Sequence, residues 1–532
     1  MVARSLDTRI FAMASQTQMQ APANRLPTEN RRWWQVLFGC DLRSLAVFRV
    51  ALGILAVFDA GLRWPDLEAL FSDSGFFTRQ FAQQYYDQTA GSGWSQAIWS
   101  VHSISGDVRY VTALFVLQVV AGVALAFGAW TRLSTIVTWV LVASAQARSP
   151  LVITSGDMLF KLLLLWSIFL PLGRIWSVDA WRSGRTVANE PHLWRCNLAT
   201  TGVILQVVIM YFFTGVAKFN SIWFEGTAMD FVWRLDIFAN PWGKWFLSFT
   251  ALNQIIAWAT LFIELVAIWL LFIPWRNAFW RVSIMAAYWM FHLGIALTMT
   301  IGLFPLICMV AWLPMWPAEC WRRVARPVPS DSNDREPIWR HWAGIAGNAF
   351  CGLLIALMVC WNLYNMNAAW TKPLMPKPAH YIGHWTGFYQ HFQMFGIPPK
   401  VNPWFVFEAK LNDGSTVDIF CTDGVLNYKK PLLVRDTLPS HNWRRLLQNM
   451  LHDDMAFLRA PLLEYAIRKW NMAHDPERHV RSARLVNYMQ ELGPQYREGD
   501  WVSRVWAVYP GETHDPGQAL EDLLNRMLDR PF

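Results

Sequence analysis

The sequence contains little charge and few of the polar surface residues typical of a soluble protein. Only 16% of its 532 residues are charged, whereas ordinary soluble domains carry about 25%. The apolar residues are gathered in runs of about 18–25, which is the length that crosses a hydrocarbon layer. This composition excludes a cytosolic enzyme and a disordered protein, and it indicates a polytopic membrane protein.

Cysteine is also scarce, and no cleavable leader is evident. The seven cysteines include no C-x-x-C pair and lie mostly in or beside apolar runs, so neither a disulfide framework nor a metal site is predicted. Residues 1–30 lack an apolar stretch followed by a small-residue cleavage site. The net charge of +8 comes from basic residues beside apolar runs. Membrane topology explains this charge, and no nucleic-acid partner is expected.

Aromatic residues and apolar runs are abundant. The 33 Trp and 34 Phe are typical of interfacial belts, and the mean hydropathy is +0.21. Arg31–Leu42 mixes Arg with Trp and Phe, which favours an interfacial helix. Nine spans are predicted, at 44–63, 110–130, 132–147, 157–173, 196–218, 252–274, 279–299, 301–316 and 342–364.

The distribution of Arg assigns the sides of the membrane. Arg clusters in the N-terminal tail, after span four, after span six and after span eight, whereas the loops 64–109 and 219–251 are poorer in basic residues. Because cytoplasmic loops are enriched in Lys and Arg, the N-terminus is predicted to be cytoplasmic. With nine spans the C-terminus is then extracytoplasmic.

The region after span nine reads as a folded domain outside the membrane. Two strands, Trp404–Lys410 and Thr416–Cys421, flank an Asp-Gly turn and predict a β-hairpin. Helices are predicted near 441–456, 460–473 and 517–528, and strands at Ala483–Met489 and Val502–Tyr509. The fold class is an all-α polytopic membrane bundle with a small C-terminal extracytoplasmic α+β domain. The predicted divisions are 1–42 (tail with interfacial helix), 43–320 (transmembrane domain), 321–341 (cytoplasmic loop), 342–366 (last span) and 367–532 (outer domain).

Ionisable residues in the predicted spans are candidate functional groups, because a charge in hydrocarbon is costly. Asp59 and Arg63 lie one helical turn apart in span one, so a local ion pair is expected. Asp157 and Lys161 have the same spacing in span four, and a second local pair is expected there. Arg49 has no local acid, so it must find one on another helix or reach the cytoplasmic edge.

The strongest candidate site involves Lys218 and His292. Lys218 ends span five on the same helix face as Tyr211, and His292 lies in the outer half of span seven. Each also fits a structural role, as a helix-end anchor or a core histidine. Glu264 in span six fits either an interhelical ion pair or a site carboxyl. A neutral amine near a histidine can act as a general base. Because isolated charges at this depth are costly and should face one another or water, one cavity opening to the outer leaflet is predicted. Its predicted lining is Lys218, His292, Glu264 and Asp59.

Four stretches of the sequence resemble the HTTM membrane proteins, a family that includes the vitamin K-dependent γ-carboxylases. They lie at 42–77, 153–180 (ITSGDMLFKLLLLWSIFLPLGRIWSVDA), 211–231 (YFFTGVAKFNSIWFEGTAMDF) and 291–305 (FHLGIALTMTIGLFP). Together they span roughly residues 40–320. The outer domain looks like the C-terminal part of bacterial members, which implies a bacterial cytoplasmic membrane.

The resemblance also implies a chemistry. In the carboxylases, the Lys of a G-x-x-K motif ahead of W-x-E-G deprotonates a reduced quinone, which with O2 becomes the strong base that precedes CO2 addition to glutamate. That motif matches Gly215–Lys218 here. Lys218 and His292 are therefore the expected catalytic residues, with a vitamin K-like reduced quinone as the expected cofactor. The expected cavity or ligand residues are Asp59, Glu264, Tyr211, Trp223 and Glu225.

One departure leaves the function open. Ser155-Gly156 stands where the carboxylases carry Asn-His, as in bacterial HTTM members of unassigned activity. One interpretation is a carboxylase-like enzyme acting on a quinol or prenyl lipid in the bilayer. The alternative is a non-enzymatic accessory, maturation or immunity factor whose outer domain binds a peptide or protein. A transporter is the least supported interpretation, because no internal repeat is found.

Overall fold

The protein is mostly helical, with a small C-terminal sheet. The computed structural model describes residues 32–90, 98–187, 193–321, 338–366, 369–392, 394–421, 424–492 and 498–510. The elements of the first part are α1 (Trp33–Phe38), β1 (Cys40–Asp41), α2 (Leu42–Arg63), α3 (Leu67–Phe71), α4 (Arg79–Ala90), α5 (Val108–Phe127), α6 (Thr131–Arg148), α7 (Ser155–Ser167), α8 (Val178–Arg182), β2 (Trp194–Arg195), α9 (Leu198–Val216), α10 (Ser221–Phe224), α11 (Ala228–Arg234), α12 (Pro241–Phe246), α13 (Thr250–Leu265), α14 (Asn277–Thr298), α15 (Phe304–Ala311) and α16 (Ile338–Tyr364). The second part contains α17 (Lys377–Trp385), β3 (Val401–Leu411), β4 (Thr416–Asp418), α18 (His441–Asn449), α19 (Arg459–Ala473), β5 (Val480–Leu492) and β6 (Glu498–Tyr509).

Helices occupy all nine positions that the sequence predicts as membrane spans. Five of the described helical segments are long and apolar enough to cross a membrane, namely Leu42–Phe71, Val108–Phe127, Leu198–Val216, Thr250–Phe272 and Gly344–Tyr364. The predicted eighth span is short, with α15 followed by a 3-10 turn at Leu313–Met315. A mostly helical fold with several helices able to cross a membrane is thus confirmed.

The predicted interfacial helix is shorter than the sequence pattern suggests. Arg31 lies outside the described residues, and α1 ends at Phe38 because Gly39 adopts an extended backbone. Cys40 and Asp41 then pair as a short strand with Trp194 and Arg195. The Asp41 carboxylate caps α2 by accepting from the Arg43 backbone N–H. The prediction of one helix through Leu42 is therefore wrong: this strand and cap separate α1 from α2.

The C-terminal part is a four-stranded antiparallel sheet, in the order β4-β3-β5-β6, packed against two helices. The predicted hairpin is confirmed, with Lys410 opposite Thr416 next to the turn. The predicted strands at Ala483–Met489 and Val502–Tyr509 form the centre and edge of the sheet. The helices predicted near 441–456 and 460–473 are present as α18 and α19, whereas the one predicted at 517–528 lies outside the described residues.

The sheet domain packs on one set of bundle loops. The Asn442 side chain donates to the carboxylate of Asp66 and to the Leu62 carbonyl at the end of α2. The Asn449 side chain donates to the Leu151 carbonyl between α6 and α7. These loops all belong to the side that the arginine distribution assigns to the exterior.

The other set of loops is held together separately. The Arg281 guanidinium donates to the carbonyls of Val36, Leu37 and Gly39. The indole of Trp321 donates to the Ser44 hydroxyl. These contacts join the N-terminal segment to the loops after predicted spans six and eight, so the three segments lie at one end of the bundle.

Candidate functional site

Lys218 lies just beyond the end of α9 and forms an ion pair with α13. Its Nζ is 2.7 Å from Glu264 Oε2 and 3.3 Å from the Thr214 carbonyl oxygen. Both charged residues are only 3% exposed. Glu264 therefore forms the interhelical ion pair that was one of its two predicted roles, and Lys218 is buried rather than directed to the bundle surface.

A glycine brings the two helices close enough for this pair. A Cβ built on Gly215 would lie 2.9 Å from the Leu265 side chain and 3.0 Å from Glu264 Cβ. Few real Cβ atoms tolerate such distances, so a side chain at Gly215 would push α13 away from α9. The glycine of the G-x-x-K motif thus sets the distance between the lysine and its carboxylate.

Trp223 closes one side of the ion pair. Lys218 Nζ lies 5.2 Å from the centre of the Trp223 ring, within the range of a cation–π contact. The indole N–H donates to the carbonyls of Phe395 and Gly396, which belong to the segment between α17 and β3. Glu225 instead lies exposed after α10, and within the described part of the chain it forms no ion pair.

His292 lies in an aromatic cluster. Its Nε2 shares a 2.6 Å hydrogen bond with the Tyr211 hydroxyl, and both side chains are buried. The ring of Tyr211 packs 4.2 Å from that of Tyr288, which stacks 4.5 Å from Trp312. The Nδ1 of His292 is buried and has no hydrogen-bond partner among the described residues. A buried polar atom of this kind calls for an explanation, and a bound ligand is one.

Asp59 belongs to a different hydrogen-bond network. It accepts from Arg63 one turn along α2, as predicted, and from the Gln118 side chain on α5. The structure therefore joins Lys218 to Glu264 and His292 to Tyr211, while Asp59 bonds elsewhere. That all four line one cavity stays a prediction.

The expected local pair of Asp157 with Lys161 is wrong. Asp157 Oδ1 lies 2.6 Å from the guanidinium of Arg63 on α2, and its Oδ2 accepts from the Thr154 backbone N–H and hydroxyl as a capping box. The capping geometry turns the carboxylate toward the start of α7, away from the next turn where Lys161 lies. Arg63 consequently bridges Asp59 and Asp157.

Arg49 forms no ion pair within the described residues. Its guanidinium donates to the carbonyls of Leu172, Ile175 and Trp176, in the loop after predicted span four. The two outcomes expected for Arg49 were an acid on another helix or a position at the cytoplasmic edge. Because this loop lies on the predicted cytoplasmic side, these contacts agree better with the second outcome.

Gly156, at the first turn of α7, is packed against the start of α15. A Cβ built there would lie 3.0 Å from Phe304 Cα and 3.1 Å from its Cβ. The Phe304 ring also packs edge-on against His292 at 5.5 Å. Phe304 therefore occupies the space beside the position where the carboxylases carry histidine.

Two further buried acids were missed by the sequence reasoning. Asp230, in the stretch 211–231, accepts from Asn253, which itself accepts from the Trp233 indole. Asp236 lies between Lys244 at 2.5 Å and Lys430 at 2.9 Å. The signal for Asp230 is an acid inside the apolar run AMDFVW. Nothing local predicts that Asp236 contacts a lysine of the sheet domain.

Comparison with known proteins identifies the first part of the chain. A family model described as HTTM domain matches residues 39–321, more than half of the 532 residues. No solved structure matches the chain.

Proposed function

The chain belongs to the HTTM-domain family, and we propose that it is a multi-pass membrane enzyme of the γ-carboxylase-like class. In this proposal the Lys218 amine accepts a proton from a reduced quinone or related prenyl lipid at the outer leaflet. The observation that carries it is the buried Lys218–Glu264 pair at 2.7 Å. It lies at the motif position where the carboxylases have their base.

Glu264 is the positioning residue in this proposal. In this proposal the Lys218 amine is neutral before the reaction, and the carboxylate at 2.7 Å stabilises the ammonium that forms when the amine takes up a proton. In a buried site of low dielectric this stabilisation is stronger than in water. Trp223 shields the pair on one side and, through its indole, ties the site to the segment that leads into the sheet.

A quinol head group is the ligand we propose for these residues. The unpartnered Nδ1 of His292 is a hydrogen-bonding atom for a ring oxygen, and it lies beside the stacked, buried rings of Tyr211, Tyr288 and Trp312. A reduced quinone, with O2, would supply the base strong enough to remove a γ-proton from glutamate before CO2 adds. The protein's own contribution is the amine, its carboxylate partner and a site closed to water.

We propose nine spans for the bundle, with the N-terminus cytoplasmic and the sheet domain extracytoplasmic. The support is the separation of loop contacts. The sheet domain bonds to the loops at Asp66 and Leu151. The N-terminal segment bonds to the other set through Arg281 and Trp321.

A second function is favoured by Gly156. Phe304 fills the space beside it, and the histidine of the carboxylases is absent. A membrane accessory or maturation factor, with the outer domain binding a peptide or protein, needs no such histidine. In that case the Lys218–Glu264 pair is a structural link between α9 and α13.

The test is Lys218→Arg in the full-length protein in lipid nanodiscs. Arginine keeps the charge but does not deprotonate in proteins. We expect at least a hundredfold loss of quinol-dependent O2 consumption and of CO2 incorporation into a glutamate peptide, with near-normal insertion and thermal stability. Lys244→Arg is the matched control, because Lys244 also pairs with a buried aspartate, and it should retain activity.

Two outcomes favour the accessory function. One is a Lys218→Arg variant that is fully functional in the cell. The other is purified wild-type protein that carries no quinone by mass spectrometry and consumes none.

A further inference from the structure

A cavity lies at the junction between the bundle and the sheet domain. Its volume is about 460 Å³, in the range of pockets that hold small molecules. It is lined by α4, the end of α6, the start of α7, the turn after α17, and α18 with the segment that follows it. Lys218 and His292 are not among its lining residues.

Lys161 is the first of two cations on the wall of this cavity. It is 9% exposed, and within the described parts of the chain its amine has no hydrogen bond or ion pair. A Cβ built on Gly387 would lie 3.3 Å from Lys161 Cδ, so the turn after α17 covers the aliphatic stem. The Asp157 carboxylate is near enough to favour the charged amine, but its hydrogen bonds go to Arg63 and Thr154. A largely buried ammonium in this position is stabilised by an anion bound in the cavity.

Arg445 on α18 is the second cation. Its Nε donates to the Ile153 carbonyl at 3.2 Å, which fixes the guanidinium on the cavity wall. The two terminal nitrogens have no protein acceptor among the residues that the structure describes. A planar guanidinium held in this way presents a fork that matches a carboxylate or a phosphate.

Two other polar groups of the cavity, His384 and Tyr85, are neutral. Burial lowers the pKa of His384 to about 4, with further lowering by Lys161 and then His380. Burial raises the pKa of Tyr85 to about 12, so its phenol stays protonated. Both therefore offer hydrogen bonds and no negative charge at neutral pH. The positive charge of the cavity comes from Lys161 and Arg445.

Part of the remaining wall is apolar. It is formed by Ile98, Ala143, Leu151, Ile153, Met158 and Met455. An inorganic ion alone would leave this surface against water, whereas a ligand with a hydrocarbon part would bury it.

We propose that this cavity binds an amphiphilic anion, with its carboxylate or phosphate held between Lys161 and Arg445 and its apolar body against the methionine and aliphatic wall. The site is independent of the proposed chemistry at Lys218. It lies where an acidic lipid could enter from the bilayer or a soluble organic acid could enter from outside.

Binding is tested on the full-length protein in phosphatidylcholine nanodiscs, with octyl phosphate, octanoate and octanol as probes. We expect the two anions to bind saturably by calorimetry and to raise Tm, and octanol to do neither. Lys161→Met and Arg445→Gln should each weaken octyl phosphate binding at least tenfold. The exposed residues give matched controls, Lys469→Met and Arg481→Gln, which should bind as the wild type does.

Stability separates a lost ligand site from a lost fold. Because Lys161 is buried without a partner, Lys161→Met should keep or raise the Tm of the ligand-free protein while abolishing the shift with octyl phosphate. The proposed site is contradicted if octanol binds as tightly as octyl phosphate, or if the Lys161→Met variant binds octyl phosphate with the affinity of the wild type.

Two further measurements distinguish a soluble anion from an acidic lipid as the ligand. If inorganic phosphate displaces octyl phosphate with an affinity within threefold, the head group alone suffices and a soluble anion is supported. If inorganic phosphate does not compete and the purified protein carries an acidic lipid by mass spectrometry, a lipid ligand is supported. Either result leaves the Lys161–Arg445 site in place.

Discussion

Gly156 shows how close helix packing can fix the identity of a single residue. A glycine in the first turn of a helix can usually be replaced by alanine without loss of stability, because alanine has the higher helix propensity. Here the start of α15 is so close that a Cβ at 156 would meet Phe304 Cα at 3.0 Å. The residue is therefore fixed by packing against backbone, which cannot rotate away as a side chain would.

Gly156→Ala should consequently lower stability by about 1–3 kcal/mol, as overpacking in a closed core does. The matched control is Gly61→Ala in α2, where a Cβ meets nothing within 4 Å and no loss is expected. Thermal unfolding of both variants in the same nanodiscs makes the comparison. Equal Tm values would show that α15 moves aside freely, and Gly156→His would then become a reasonable route to the carboxylase arrangement.

At the scale of elements, Arg63 connects the first predicted span to the fourth. Its guanidinium bonds both Asp59 on its own helix and Asp157 at the start of α7, and all three side chains are largely buried. Gln118 on α5 adds a third helix through Asp59. Ion pairs of this kind contribute little compared with an apolar replacement, but removing one partner leaves an uncompensated charge.

Arg63→Met should therefore destabilise the bundle by about 3–5 kcal/mol. Asp157→Asn in the same chain should restore part of that loss, because one of the two stranded carboxylates is removed. The control is Arg79→Met, whose pair with Asp73 is exposed (42% and 36%) and worth about 0–1 kcal/mol. Denaturation of the wild type, both single variants and the double variant gives the coupling energy. Additive single effects would show that Arg63 and Asp157 act independently.

On the scale of the whole molecule, the hydrogen bonds between the sheet domain and the bundle loops in the described part of the chain go to one set of loops. Arg444 donates to Ile237, Asn449 to Leu151, and Ser440 to Asp66. These three partners come from three different loops of the bundle. A fourth contact is the ion pair between Asp236 of the bundle and Lys430 of the sheet domain, and Lys244 pairs with the same aspartate. The domain therefore covers one end of the bundle, beside both the Lys218 site and the anion cavity.

This arrangement predicts the orientation of the chain. Alkaline phosphatase fused after Phe532 should be active, because it folds only outside the cytoplasm, and a fluorescent protein fused at the same position should be dark. Immunoblots of both fusions provide the expression control. If the fluorescent-protein fusion is bright and the phosphatase fusion is stable but inactive, the C-terminus is cytoplasmic and the odd number of spans is contradicted.

Features that depend on local pattern could be predicted from the amino-acid order alone. Apolar run length located the helices, because each span must satisfy its backbone hydrogen bonds internally. The Asp-Gly turn between alternating residues located the hairpin of β3 and β4, and i, i+4 spacing identified the Asp59–Arg63 pair. The four stretches at 42–77, 153–180, 211–231 and 291–305 together identified the family, which the match over residues 39–321 confirms.

Which distant groups meet depends instead on how the helices pack in three dimensions. Glu264 is 46 residues from Lys218, and Arg63 is 94 residues from Asp157. No helical spacing relates such pairs, since their meeting depends on which helix faces pack together. Lys161 does not pair with Asp157 for the same reason. The Asp157 carboxylate has several donors within reach, and it accepts from the buried Arg63 guanidinium and from Thr154 at the start of the helix. The anion cavity combines residues from α4 to α18, and it exists only because the sheet domain packs against the loops of the bundle.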